Sequence, residues 1–168
     1  MSESMTVHFV TRTGNVLAAA TRVANPGQAT GKESVLVRGF SAGPFLVPAT
    51  EMSTLDGDPD LTLLLAPRSF HVPAQGSKVE PLPIAAVTSI LLTPVQVTVE
   101  VSLTVSADAE VLVLITGGSL PRPLVATGTL PTGQDSVDLP LGQLAPGTYH
   151  VLALARGHQP SVNISMVV

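Results

Sequence analysis

The sequence predicts an all-β fold, an antiparallel β-sandwich, and three observations carry that expectation. Over the longest patterned stretch, Val95, Val97, Val99, Val101, Leu103 and Val105 are apolar, while Gln96, Thr98, Glu100, Ser102, Thr104 and Ser106 are polar. A period of two places one face on a core and the other in water. Turn-forming clusters recur between short apolar runs: Thr13-Gly14-Asn15, Asn25-Pro26-Gly27, Asp56-Gly57-Asp58, Thr116-Gly117-Gly118-Ser119, Pro131-Thr132-Gly133 and Ala145-Pro146-Gly147. Such spacing belongs to sandwiches and barrels. No proline-free window of about 12 residues carries a helical period. A short helix fits only at Leu17–Thr21 and Ile84–Leu92.

Taken in order, the expected strands are Thr6–Arg12, Val16–Val23, Ser34–Phe40, Leu61–Leu65, Ser69–Val72, Val95–Ser106, Val111–Ile115, Leu124–Leu130, Ser136–Leu141, Thr148–Arg156 and Val162–Val168. Each is a run of β-branched or apolar residues bounded by turn formers. Phe45-Leu46-Val47, bracketed by Pro44 and Pro48, reads as a further extended segment. Val111–Ile115 is apolar at every position, which suits a central strand covered on both faces. Val162, Ile164, Met166 and Val168 alternate with Asn163 and Ser165, so Asn163-Ile164-Ser165 reads as strand sequence and not as a glycosylation acceptor. Pro73, Pro81, Pro83 and Pro94 divide the chain nearly in half. The expected organisation is two small β-domains: an irregular one at 1–78, a proline-rich linker or crossover at 79–94, and a compact sandwich of about seven strands at 95–168. One larger sandwich with a proline-rich crossover is the alternative.

Composition excludes several function classes. The 168 residues include no cysteine, so there is no disulfide scaffold, thiolate metal site or cysteine nucleophile. Eight basic residues, only two of them lysine, are scattered singly against twelve acidic ones. With four Phe, one Tyr and no Trp, neither a phosphate-binding surface nor a base-stacking platform is expected, and so no nucleic-acid partner. The missing Trp also weakens a flat sugar-binding platform. The longest uncharged stretch, Pro81 to Val99, is broken by prolines and polar residues and is no membrane span. Met1-Ser2-Glu3-Ser4-Met5-Thr6 lacks a basic and then apolar leader, so synthesis in the cytoplasm without a signal peptide is expected. A place in a virion or other particle needs no such leader.

Four motifs carry potential chemistry. Gly39-Phe40-Ser41-Ala42-Gly43 spells Gly-x-Ser-x-Gly after the apolar run Val35-Leu36-Val37, which makes Ser41 the candidate nucleophile. Aspartates (Asp56, Asp58, Asp60) and histidines (His71, His150, His158) follow in hydrolase order. A nucleophile elbow must lead into a helix, however, and Pro44 and Pro48 forbid one there. Gly27-Gln28-Ala29-Thr30-Gly31-Lys32-Glu33 imitates a phosphate loop but places Glu33 where Ser or Thr should bind magnesium. Asp56, Asp58 and Asp60 suggest a calcium loop, yet Leu61 and Pro67 stand where an EF-hand needs Gly and Glu. They fit a solvated turn better, with a loose calcium site as the alternative. His150 and His158 could approach across a hairpin, but no third ligand is in sequence reach. No cofactor and no catalytic activity are expected.

The segment Leu144-Ala145-Pro146-Gly147-Thr148-Tyr149, followed by an alternating strand and by Gly157-His158-Gln159-Pro160, resembles the end of transthyretin-like, carboxypeptidase-regulatory-like domains. Fibronectin type III domains share a related Leu-x-Pro-Gly turn before a tyrosine. Pro146 and Gly147 suit a turn, and Tyr149 is placed to bury its ring while its hydroxyl bonds nearby backbone. The resemblance implies a non-catalytic β-sandwich for assembly, stabilisation or adhesion.

Charged residues make up only 12% of the chain, against about 25% for a typical soluble domain. Val111–Ile115 and Val151–Ala155 are apolar on both faces, and a two-layer sandwich covers only one. The second face must meet another domain, another subunit or a partner. The functional expectation is a structural subunit of a virion, tail or phage-tail-like particle, a homo-oligomer or a companion to other subunits. Its expected interface residues are Val151, Leu152, Leu154, Val162, Ile164, Met166 and Val168. The alternatives are a receptor-, glycan- or calcium-binding module and a small serine hydrolase using Ser41.

Overall fold

The structure, a computed structural model, describes residues 3–23, 35–37, 45–58, 60–74 and 78–167. Strands account for 56% and helical turns for 8%, and every sheet is antiparallel, so the fold is all-β. In chain order the elements are β1 (Glu3–Val10), β2 (Val16–Val23), β3 (Val35–Val37), β4 (Phe45–Val47), β5 (Met52–Gly57), α1 (Leu61–Leu65), β6 (Phe70–His71) and β7 (Glu80–Pro81). There follow β8 (Val87–Leu92), β9 (Gln96–Val101), β10 (Ala109–Gly117), β11 (Leu124–Leu130), β12 (Ser136–Pro140), β13 (Gly147–Ala155) and β14 (Ser161–Val167).

Residues 87–167 form the sandwich, with sheet β12-β9-β8 facing sheet β11-β10-β13-β14. Alternation on β9 sends Val97, Val99 and Val101 inward, where they meet Val111, Val113, Ile115, Val151 and Ala153. Two expectations need correcting here. The alternating stretch stops being strand at Val101, because Ser102 turns onto the chain before β8: its amide donates to the Ala86 carbonyl at 2.9 Å and its hydroxyl accepts from the Ala86 amide at 3.1 Å. The supposed linker at 79–94 contains β8, which is paired with β9 and buries Val87, Ile90 and Leu92. The segment Ile84–Leu92 therefore holds no helix.

The central sheet is covered on both sides, and the second cover comes from the same chain. Leu112, Leu114, Leu152 and Leu154 are cross-strand neighbours on β10 and β13 and have no exposed surface. Val10 of β1, Leu17 of β2 and Phe45 and Val47 of β4 pack on them. Each fully buried leucine contributes about 1.5–3 kcal/mol of burial free energy, so this contact is a major stabilising surface.

Sheet β2-β1-β5 turns its other face to a third cluster, in which Met5, Val7 and Val16 meet Leu63 and Val72. Leu17–Thr21 lies within β2 and is not helical. The helix instead occupies Leu61–Leu65, where the sequence predicts a strand. Asp60 decides this: its Oδ1 accepts from the amides of Thr62 (2.8 Å) and Leu63 (3.2 Å), capping a turn that buries Leu63. The β1–β2 turn is docked by Gly14, whose φ of +77° suits glycine and whose carbonyl accepts from the Val72 amide at 2.8 Å.

Candidate functional site

The residues that chemistry singled out are not brought together. Ser41 and its Gly-x-Ser-x-Gly frame lie outside the described residues, as do Gly27–Glu33. Asp56 accepts a 2.7 Å hydrogen bond from the Thr6 hydroxyl, and Asp60 caps α1. Two of the three acidic-turn carboxylates are thus engaged in holding β1 to β5 and starting the helix, while Asp58 is exposed. Among the described residues no three His, Asp or Glu side chains converge as metal ligands. His150 lies within β13 and His158 beyond its end, so at least ~17 Å of extended strand separates them and they form no pair.

The expected interface residues divide in two. Val151 is in the sandwich core, and Leu152 and Leu154 lie under the N-terminal cover; all three are 0% exposed in the isolated chain. They offer no surface to another molecule, which corrects the expectation. Its physical reason was sound, since the second apolar face does need a cover, but Phe45, Val47, Val10 and Leu17 supply it. Val162 is half-buried at the margin of that contact, whereas Ile164 is 53% exposed. Met166 pairs with Thr148 on β13, its side chain lying outside the described residues together with Val168. Asn163 donates to the Ile90 carbonyl at 2.9 Å and so closes the seam between β14 and β8. Its amide is occupied within the fold.

The chain matches no known protein family and no curated protein sequence. No helix of the described residues is long and apolar enough to cross a membrane.

Two surface features remain. The first is the polar seam where the β1–β2 turn meets the β13–β14 turn. Arg12 and Glu110 form an ion pair at 2.5 Å, and the Arg156 guanidinium donates to the Arg12 carbonyl. The buried Asn15 donates through Nδ2 to the His158 carbonyl at 2.8 Å. His158 Nδ1 stands 2.9 Å from the Arg156 carbonyl, a bond that requires the proton on Nδ1. Beside the seam opens a cleft of about 390 Å³ lined by Leu65, Ala66, Pro67, Arg68, Ser69, Gln159 and Pro160. The second is a set of large apolar side chains standing in solvent, chief among them Ile84 (96%), Leu65 (77%), Leu61 (71%) and Leu103 (64%).

Titration behaviour follows local packing. Burial holds His8 below its ordinary value against an opposing pull from Asp56. Burial also lowers His71, with Glu80 opposing and Arg156 reinforcing. The Thr132 amide and hydroxyl, each 2.8 Å from Asp108 Oδ1, lower that carboxyl.

Proposed function

We propose that the chain is a non-catalytic structural subunit of a multi-protein assembly, of the virion, tail or phage-tail-like kind. The observation that carries the reading is the pairing of internal closure with external greasiness. Both faces of the two middle strands, β10 and β13, are covered within the chain, yet Leu61, Leu65, Ile84, Leu91, Leu103 and Ile164 stand more than half exposed. A protein with 12% charged residues and such side chains in water is poorly suited to life as a free monomer. The order β12-β9-β8 against β11-β10-β13-β14, with a tyrosine anchored at the start of β13, supports an immunoglobulin- or fibronectin-like module. Modules of this type act by surface and edge contacts. Contact here would run through the exposed residues and not through Val151, Leu152 or Leu154.

The test is the solution mass by size-exclusion chromatography with light scattering, with concentration from refractive index because the chain has one tyrosine and no tryptophan. A species several times the 17.2 kDa chain, reduced to monomer by Leu61→Ser with Leu65→Ser or by Ile164→Ser, is the expected result. A monomer at high concentration would remove homo-assembly and leave only association with a different subunit.

A further inference from the structure

We propose that the seam between the N-terminal half and the sandwich is an acid-sensitive latch, and that His71 is the group that loosens it. The inference does not depend on what the chain assembles with. His71 lies directly opposite Asn15 in an isolated antiparallel bridge. Asn15 is one of the side chains that tie the N-terminal half to the β13–β14 turn, through the His158 carbonyl, alongside Arg156 on the Arg12 carbonyl. Asn15 Oδ1 and His71 Nδ1 are both shielded from solvent and lack a hydrogen-bond partner among the described residues. The tie is therefore made by few bonds, at a place where polar groups are already out of water.

Burial of the ring sets the direction, and the charges around His71 modulate it. Glu80 of β7 is its register partner, and Arg156 approaches from the sandwich end. Arg156 in turn holds the Arg12 carbonyl, and Arg12 pairs with Glu110 of β10. Glu80 attracts an imidazolium more strongly than Arg156 repels it, and burial of the ring outweighs that attraction. A proton on His71 places a cation in a half-buried site, and that loss of hydration is what the closed seam opposes. Burial, opposed by Glu80 and reinforced by Arg156, holds the ring below the ordinary histidine value. A group held below its unfolded value binds its proton more readily once the seam opens. Opening is therefore favoured as pH falls below 6.5, the ordinary histidine value, and stops gaining once the closed form titrates too. The leucine contact beneath persists, so acid raises the open population without separating the halves outright.

Hydrogen exchange of the full chain at about pH 7.5 and about pH 5.5, corrected for the intrinsic rates, tests this. On acidification, amides at 10–17 and 70–72 should lose more protection than those of β10 and β13. His71→Gln should abolish that difference, and His8→Gln should leave it. The wild-type His71 ring, followed by NMR, should titrate below 6.5. A uniform loss across the sandwich, an unchanged profile in His71→Gln, or a ring titrating at or above 6.5 would overturn the proposal.

Discussion

The Tyr149 hydroxyl donates a 2.7 Å hydrogen bond to the carbonyl of Ala145, four residues upstream, from a ring with no exposed surface. The bond spans the Ala145-Pro146-Gly147 turn and fixes the angle at which β13 enters the sheet. Gly118 lies over the ring so closely that a Cβ there would stand 2.4 Å from it. Tyr149→Phe keeps the buried ring and removes only the bond, so its expected cost is about 0.5–1.5 kcal/mol. Tyr149→Ala also empties the site and should cost about 3–5 kcal/mol. Urea unfolding followed by far-ultraviolet circular dichroism measures both. Equal costs for the two variants would mean that the ring packs far less tightly than this geometry states.

Three glycines separate backbone strain from steric exclusion. Gly14, Gly118 and Gly133 all have positive φ, at +77°, +55° and +80°. A Cβ on Gly133 meets nothing within 4 Å, whereas one on Gly14 would lie 2.1 Å from the Val72 carbonyl oxygen. Gly133→Ala should therefore cost only about 1 kcal/mol, the conformational penalty alone. Gly14→Ala must also break the bond that docks the β1–β2 turn, and should exceed Gly133→Ala by at least about 1–2 kcal/mol. Gly118→Ala should also exceed Gly133→Ala, because its Cβ would stand 2.4 Å from the buried Tyr149 ring. The ranking of denaturation midpoints checks the order.

The leucine face gives a direct contrast with the exposed end of the same strand pair. Leu152→Ala leaves a cavity between two packed layers and should cost about 2–5 kcal/mol. Ile164, its neighbour two rows away on β14, is 53% exposed, and Ile164→Ser should change stability by no more than about 0.5 kcal/mol. A large effect at Ile164 on stability but none on solution mass would count against its place at a subunit contact.

β10 and β13 can be read from the sequence because every residue of Val111–Ile115 and Val151–Ala155 is apolar, and burial on both faces leaves no other arrangement. What covers the second face cannot be read the same way. Phe45-Leu46-Val47 is three residues long, and nothing local says that its two inward side chains belong on the leucine face of β10 and β13. β8 is hidden by a bulge: the register shifts between Val87 and Ser89, so the buried positions fall at 87, 90 and 92 and imitate a helical step. At Leu61–Leu65 the apolar run suits strand or helix equally, and the Asp60 cap settles it. β5, a half-exposed edge with no alternation, carries no period to detect. The seam was invisible for a related reason. Arg12, Asn15, His71 and Arg156 are ordinary turn and strand-end residues until the topology brings them together.

Acid sensitivity of the whole fold follows from groups whose titration the structure shifts. His8 and His71 are both held below 6.5 in the folded chain, so the unfolded chain binds protons that the folded one refuses. Stability is then greatest above 6.5 and falls as pH drops from there through the folded values, where the decline levels off. Asp108 contributes in a separate window. Its carboxylate is favoured by the Thr132 amide and hydroxyl, so its contribution is present above the ordinary 3.8 and is lost only as pH falls through the lower folded value. Urea midpoints measured across acid pH should show two descending limbs. His8→Gln with His71→Gln should flatten the upper limb, and Asp108→Asn should flatten part of the lower one. An upper limb that survives both histidine substitutions would show that neither ring is the source.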